Sequence, residues 1–194
     1  MKTMRNLLTI MMVMVSTFVF ANDNPTVKVE RVNAKSISVN ISGLEAIKTQ
    51  VQLKSENGSI LYKASSNTET FAKRLDLNAL PAGNYSIEVE NNNTFTSTPV
   101  VIADDSAYVN VSSQVTIVKP RVLVNGERLD VILPTEEAAA VLVTIYDRDM
   151  NKLAIEPING ESLKRFDLSK LTAGSYTVKM ETKGKSFVQS VSLK

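Results

Sequence analysis

The sequence contains no cysteine, no histidine and no tryptophan. Without cysteine it has no thiol nucleophile, no zinc–thiolate site, no disulfide, and no residue for a lipoprotein anchor. Without histidine it lacks the commonest general base and metal ligand at neutral pH. Aromatic residues make up only 6% of the chain, which argues against a sugar-stacking platform or a basic–aromatic nucleic-acid surface. Ser–Lys or two-carboxylate chemistry stays formally open. However, Ser162 and Lys164 have the wrong spacing, Ser169-Lys170 lies in a turn phrase, and the acidic pairs Asp104-Asp105 and Glu136-Glu137 fall in expected loops. No catalytic residue, metal ligand or cofactor is therefore assigned, and the expectation is a protein that is not an enzyme.

The chain also lacks net charge of either sign. It carries 22 Lys+Arg against 20 Asp+Glu, and two of the basic residues, Lys2 and Arg5, stand in the first 21 positions. The rest of the chain is formally neutral, which gives no attraction for nucleic acid or an acidic surface. The long apolar run is "LLTIMMVMVSTFVF", Leu7 to Phe20. It is short of the roughly 20 residues that span a bilayer. With the basic residues before it and the small residue Ala21 after it, residues 1–21 read as a secretory signal peptide cleaved before Asn22. The expected mature chain has no transmembrane segment and is exported to the periplasm, cell surface or extracellular medium.

What the sequence does have is a repeat. "LDLNALPAGNYSIEV", starting at Leu75, returns as "FDLSKLTAGSYTVKM", starting at Phe166. Upstream, Val32-Asn33 matches Val124-Asn125. Ile37, Val39 and Ile41 match Leu129, Val131 and Leu133, and Val51 and Leu53 match Val143 and Ile145. Apolar residues alternate with period two inside each copy, and Asn57-Gly58, Asn125-Gly126 and Lys183-Gly184 are hairpin turns between strand-like flanks. The expected fold is all-β: two tandem immunoglobulin-like (Greek-key) β-sandwich domains after a cleaved signal peptide. The expected division is 22–105 and 106–194, broken where "ADDSA" interrupts the strand pattern. "TEEAAAVL", Thr135 to Leu142, reads as a loop or brief turn.

The returning phrase is a structural corner. Asp76 and Asp167 can accept backbone N–H groups at the start of a tight turn. Leu77 with Leu80, and Leu168 with Leu171, share a face across one helical turn. Gly83 and Gly174 supply a backbone angle that side chains resist. Tyr85 and Tyr176 then open the next strand, in the place of a tyrosine corner whose hydroxyl bonds back to upstream backbone. "DRDMN" (Asp147, Asp149, Asn151) begins like a calcium loop, but Lys152 and Ile158 stand where an EF-hand needs Gly and Glu.

In the second copy the elements run in a set order: Tyr146-Asp147, then the corner from Asp167 to Tyr176, then Gly184-Lys185 and a final strand. From Leu129 to Lys194 this resembles the C-terminal sorting domains of type IX secretion cargo in Bacteroidetes, and the first copy resembles them more faintly. The resemblance implies a β-sandwich and the secretion machinery as a partner. The expected function is a non-enzymatic secreted or cell-envelope protein with a structural or interaction role, its protein partner unknown. Two alternatives stand beside it. The second domain could be a sorting signal for the first, or the chain could be an extracellular sugar- or peptide-binding module.

Overall fold

A computed structural model describes residues 25–44, 48–134 and 140–194. The expected signal segment, the pair Glu136-Glu137 and most of the "TEEAAAVL" stretch lie outside the described residues. The described chain is all-β, with one 3-10 turn at Val111–Ser113.

In the first sandwich, β1 (Thr26–Asn33), β2 (Ser36–Ser42) and β5 (Phe71–Asp76) form one antiparallel sheet in the order β1-β2-β5. The facing sheet contains β3 (Thr49–Ser55), β4 (Ile60–Ser66), β6 (Gly83–Glu90) and β7 (Thr94–Ile102), in the order β4-β3-β6-β7. Alternation makes the sandwich. Ile37, Val39 and Ile41 point inward from β2, while Val51, Leu53, Ile87 and Val89 meet them from β3 and β6, all buried in one cluster. Each such side chain contributes about 1.5–3 kcal/mol when removed from water.

The second sandwich repeats this plan. Its sheets are β10 (Arg121–Asn125), β11 (Arg128–Ile132) and β14 (Leu163–Asp167), facing β12 (Val141–Tyr146), β13 (Lys152–Ile158), β15 (Gly174–Thr182) and β16 (Lys185–Leu193). The orders are β10-β11-β14 and β13-β12-β15-β16. The cross-strand register also repeats: Val51 faces Val89 and Leu53 faces Ile87, as Val143 faces Met180 and Ile145 faces Val178. Even a bulge recurs, between Leu53 and Lys54 and again between Ile145 and Tyr146. The second core holds Leu129, Val131, Val143, Val178 and Met180 in a cluster of its own.

The link between the two is tighter than the sequence suggests. Asp104 and Asp105 sit in a turn closed by the Ala103 N–H and the Ser106 carbonyl at 2.7 Å. The chain then continues as β8 (Ala107–Val109) and β9 (Val115–Val118), and both pair with β7. Ala107 is buried in the first core and donates its N–H to the Ala34 carbonyl. The paired aspartates thus mark a hairpin inside the first sheet, and the chain leaves that sheet only at Lys119-Pro120.

Candidate functional site: paired corners and the seam between the sandwiches

Both copies of the corner have the same hydrogen bonds. The Asn78 N–H donates to the Asp76 carboxylate and the Ser169 N–H to the Asp167 carboxylate, each at 2.9 Å. Leu80 donates to the Leu77 carbonyl and Leu171 to the Leu168 carbonyl, which closes one turn. Leu77 and Leu168 are buried, with Leu80 and Leu171 packed at the core margin. The Tyr85 hydroxyl donates to the Pro81 carbonyl at 2.8 Å, and the Tyr176 hydroxyl to the Thr172 carbonyl at 2.7 Å. Gly83 and Gly174 have φ near +159° and +155°.

Three measurements probe this geometry. Tyr176→Phe should cost about 0.5–1.5 kcal/mol in urea unfolding, because a half-buried carbonyl loses its donor. Gly174→Val should cost more than about 1 kcal/mol, since a β-branched residue resists that φ although space is open around the position. An unchanged midpoint for either variant contradicts the corner bonding or its strain. The third concerns acid. Backbone and side-chain donation by Asn78 holds the Asp76 carboxyl below its usual value, and donation by Ser169 does the same for Asp167. Asp130 is lowered by Arg165, and Asp147 by Asn151. Lowered folded values mean that the unfolded chain binds these protons more readily. Their stabilisation is complete above the unfolded carboxylate value of about 3.9 and drains as pH falls through the lowered folded values. The melting midpoint should stay level from pH 7 to about pH 5 and drop steeply below about pH 4. A decline beginning near neutrality would contradict this assignment.

The acidic loop uses its own oxygens. Asp147 accepts the N–H groups of Asp149 and Asn151 at 2.9 and 2.8 Å, and the Asn151 side-chain amide at 2.9 Å. Its carboxylate therefore holds the bend together. Among the described residues no group of acidic side chains is arranged to hold a metal ion.

The arrangement that sequence reading missed is a charged seam joining the sandwiches. Glu88 on β6 accepts Lys54 at 2.6 Å and Lys185 of the second sandwich at 3.1 Å. The Lys185 ammonium also lies 4.1 Å from the centre of the Phe95 ring. In return, Lys119 bonds Glu90 and the Asn91 carbonyl at 2.6 Å and stands 5.5 Å from the Phe187 ring centre. Each sandwich thus presents an aromatic face to a lysine at the junction, an attraction of roughly 0.5–2 kcal/mol per contact. Burial pushes the Glu88 carboxyl up, but the two lysine hydrogen bonds and their charges outweigh it and hold it low. Phe95 and its cross-strand partner Ile117 are buried here, outside both main cores. Beside the seam lies a cleft of about 540 Å³, whose lining includes Asn93, Arg121, Phe187, Val188 and Gln189. Only the alternation of "TFTS" and "KSFV" hints at any of this, because a seam depends on how two domains meet.

The strand pairing defines the class: an all-β tandem of immunoglobulin-like sandwiches. Residues 24–103 match the family described as secretion system C-terminal sorting domain. The sorting-domain resemblance is thus matched on the first copy, where the sequence carries it more faintly than in the second. Similar solved structures include the BSP domain of a biofilm associated protein, at 17% identity and a TM-score of 0.32, covering 86% of this chain and 29% of that one. Another is the two-domain fibronectin type-III segment of chicken tenascin, at 11% identity and a TM-score of 0.33, covering 88% and 99%. The 47-kilodalton lipoprotein of Treponema pallidum is similar at 12% identity and 0.30, covering 89% and 52%. No curated protein sequence matches the chain. No helix of the described residues is long and apolar enough to cross a membrane.

Proposed function

We propose that this chain is a non-enzymatic exported protein whose two β-sandwiches serve a structural or interaction role at the cell envelope. The observation that carries this reading is the seam: Glu88, Lys185 and Phe95 dock the second sandwich on the first. A docked sibling is built to stay. The match of residues 24–103 to a sorting-domain family supports export and a meeting with secretion machinery. In this reading the two units join at Lys119-Pro120, and the corner residues are folding devices that close one end of each sandwich.

A second reading, in which the second sandwich is a sorting signal for the first, is favoured by the corner shared between the matched stretch and the terminal copy. Intact mass separates the two. The native protein would be weighed separately from periplasm, outer surface and medium. A species running from Asn22 to Lys194 is expected. A surface species ending between Ala107 and Lys119 would make the second sandwich a removable address and overturn the first reading.

A further inference from the structure

The duplication provides an internal control for each strand edge. β7 and β16 occupy equivalent places, related by the register that sets Ser86 against Pro99 and Thr177 against Ser190. On β7 the outer edge is filled. β8 pairs with Val100–Ile102 and β9 with Thr94–Ser97, while Asn110 and Lys119 donate to the carbonyls of Pro99 and Asn93. Odd-numbered residues of β7 therefore turn their peptide groups outward. Carried to β16, that register turns Ser186, Val188, Ser190 and Ser192 outward.

No strand of the described residues pairs with that edge. What closes the sandwich there is a side chain. The Gln189 amide accepts the Val122 N–H at 3.2 Å and donates to the Val122 carbonyl at 2.9 Å. Among the described residues no strand covers the outward peptide groups of β16, and Ser186 and Val188 line the cleft beside the seam.

Unpaired edges normally carry charge, proline, a bulge or short length to prevent accidental pairing. The other edges here do so. β1 carries Lys28, Glu30 and Arg31, β5 has Lys73 and Arg74, β14 has Lys164 and Arg165, and β13 has Pro157. β4 carries Lys63 and is bulged against β3, whereas β8, β9 and β10 are short. β16 is nine residues long and uncharged from Ser186 to Leu193. Its single charge, Lys185, is held by Glu88 and Phe95. At the equivalent of Ser190 the first sandwich has Pro99, which offers no N–H.

We propose that the open edge of β16 is a self-association surface, on which β16 pairs antiparallel with β16 of a second copy about a two-fold axis at Gln189. This pairing rests on the structural reading of the chain and names its partner. In this register Ser190 lies opposite Val188 and Ser186 opposite Ser192, so outward peptide groups meet outward peptide groups along a self-complementary interface. No like charges oppose each other. The two Val188 side chains, each 64% exposed in the single chain, come diagonally together on the outer face. Two four-stranded sheets become one continuous sheet.

Sedimentation velocity of the mature chain over a concentration series tests this, with two variants. Ser190→Pro installs the residue that the first sandwich already carries at this place, so the monomer should fold. Val188→Lys sets two ammonium groups together without touching the backbone, and it keeps the test valid should Ser190→Pro unfold. The expected result is a monomer–dimer equilibrium that either variant weakens by about tenfold or more. A wild-type chain that stays monomeric up to about 100 μM overturns the proposal, as does a dimer that neither variant weakens. A monomer whose Ser186–Ser192 amide signals shift on adding a synthetic Val111–Lys119 peptide assigns the edge to a foreign strand, against a second copy. Substrate turnover by the dimer would remove the structural reading of the chain and leave the edge pairing standing.

Discussion

Leu77→Ala is expected to destabilise the first sandwich by about 2–5 kcal/mol. Leu77 is fully buried in the first core, just beyond the end of β5. Its N–H donates to the Lys35 carbonyl at 2.9 Å, and its own carbonyl accepts Leu80. Those bonds fix the backbone at both sides, so the wall cannot collapse into the space that alanine leaves. Leu168 is held in the same way, donating to the Glu127 carbonyl at 2.7 Å. The cores are separate clusters, so the Leu77 variant should lower one calorimetric transition and Leu168→Ala the other. A loss below about 1 kcal/mol would mean that the corner relaxes freely. Equal displacement of both transitions by one substitution would mean that the cores act as a single unit.

Glu88→Gln is expected to cost about 1–3 kcal/mol, measured by urea unfolding. The carboxylate is largely buried, and its removal leaves the Lys54 and Lys185 ammonium groups facing each other across the seam. Both lysines keep some contact with water, which screens the repulsion and sets the upper bound. Wild-type stability should fall as salt is raised, and the variant should respond less, because its seam has no ion pair to screen. Adding Lys185→Met to Glu88→Gln should recover part of the loss, since the unbalanced cation is then gone. A variant as stable as wild type, with the same salt response, would show that the seam contributes little to holding the sandwiches together.

The parts legible in the sequence were those encoded by local pattern. Alternation at Ile37, Val39 and Ile41, and again at Leu129 and Val131, gave the strands and their inward faces. Gly58, Gly126 and Gly184 marked hairpins because each adopts a positive φ. Asp76 and Asp167 could be read as turn acceptors, since an aspartate two residues before a free N–H has short geometry to satisfy. The division of the chain was harder. Asp104-Asp105 looked like a boundary because charge interrupts a strand pattern whether the chain leaves a sheet or merely turns within it. The next stretch, "AYVNVSSQVTIV", has the composition of any short strand pair, and its partner β7 is chosen by three-dimensional fit. The seam was invisible for a related reason. Glu88 and Lys185 are far apart in sequence, and each looks like an ordinary solvent-facing charge on a half-buried strand.

The stitching of β8 and β9 onto β7 has a mechanical consequence. If the two sandwiches are pulled apart, tension enters the first sheet at Val118, the end of β9 that lies against Thr94. Load there peels β9 from β7 one rung at a time, and reaches the main core only when β8 follows, because Ala107 is buried in that core and bonded to Ala34. The segment from Ala107 to Val118 already runs the length of β7 from Ile102 to Thr94, so straightening it would release roughly 15 Å of slack. The same strands that fix the second sandwich in place at rest would then act as a shock absorber under load.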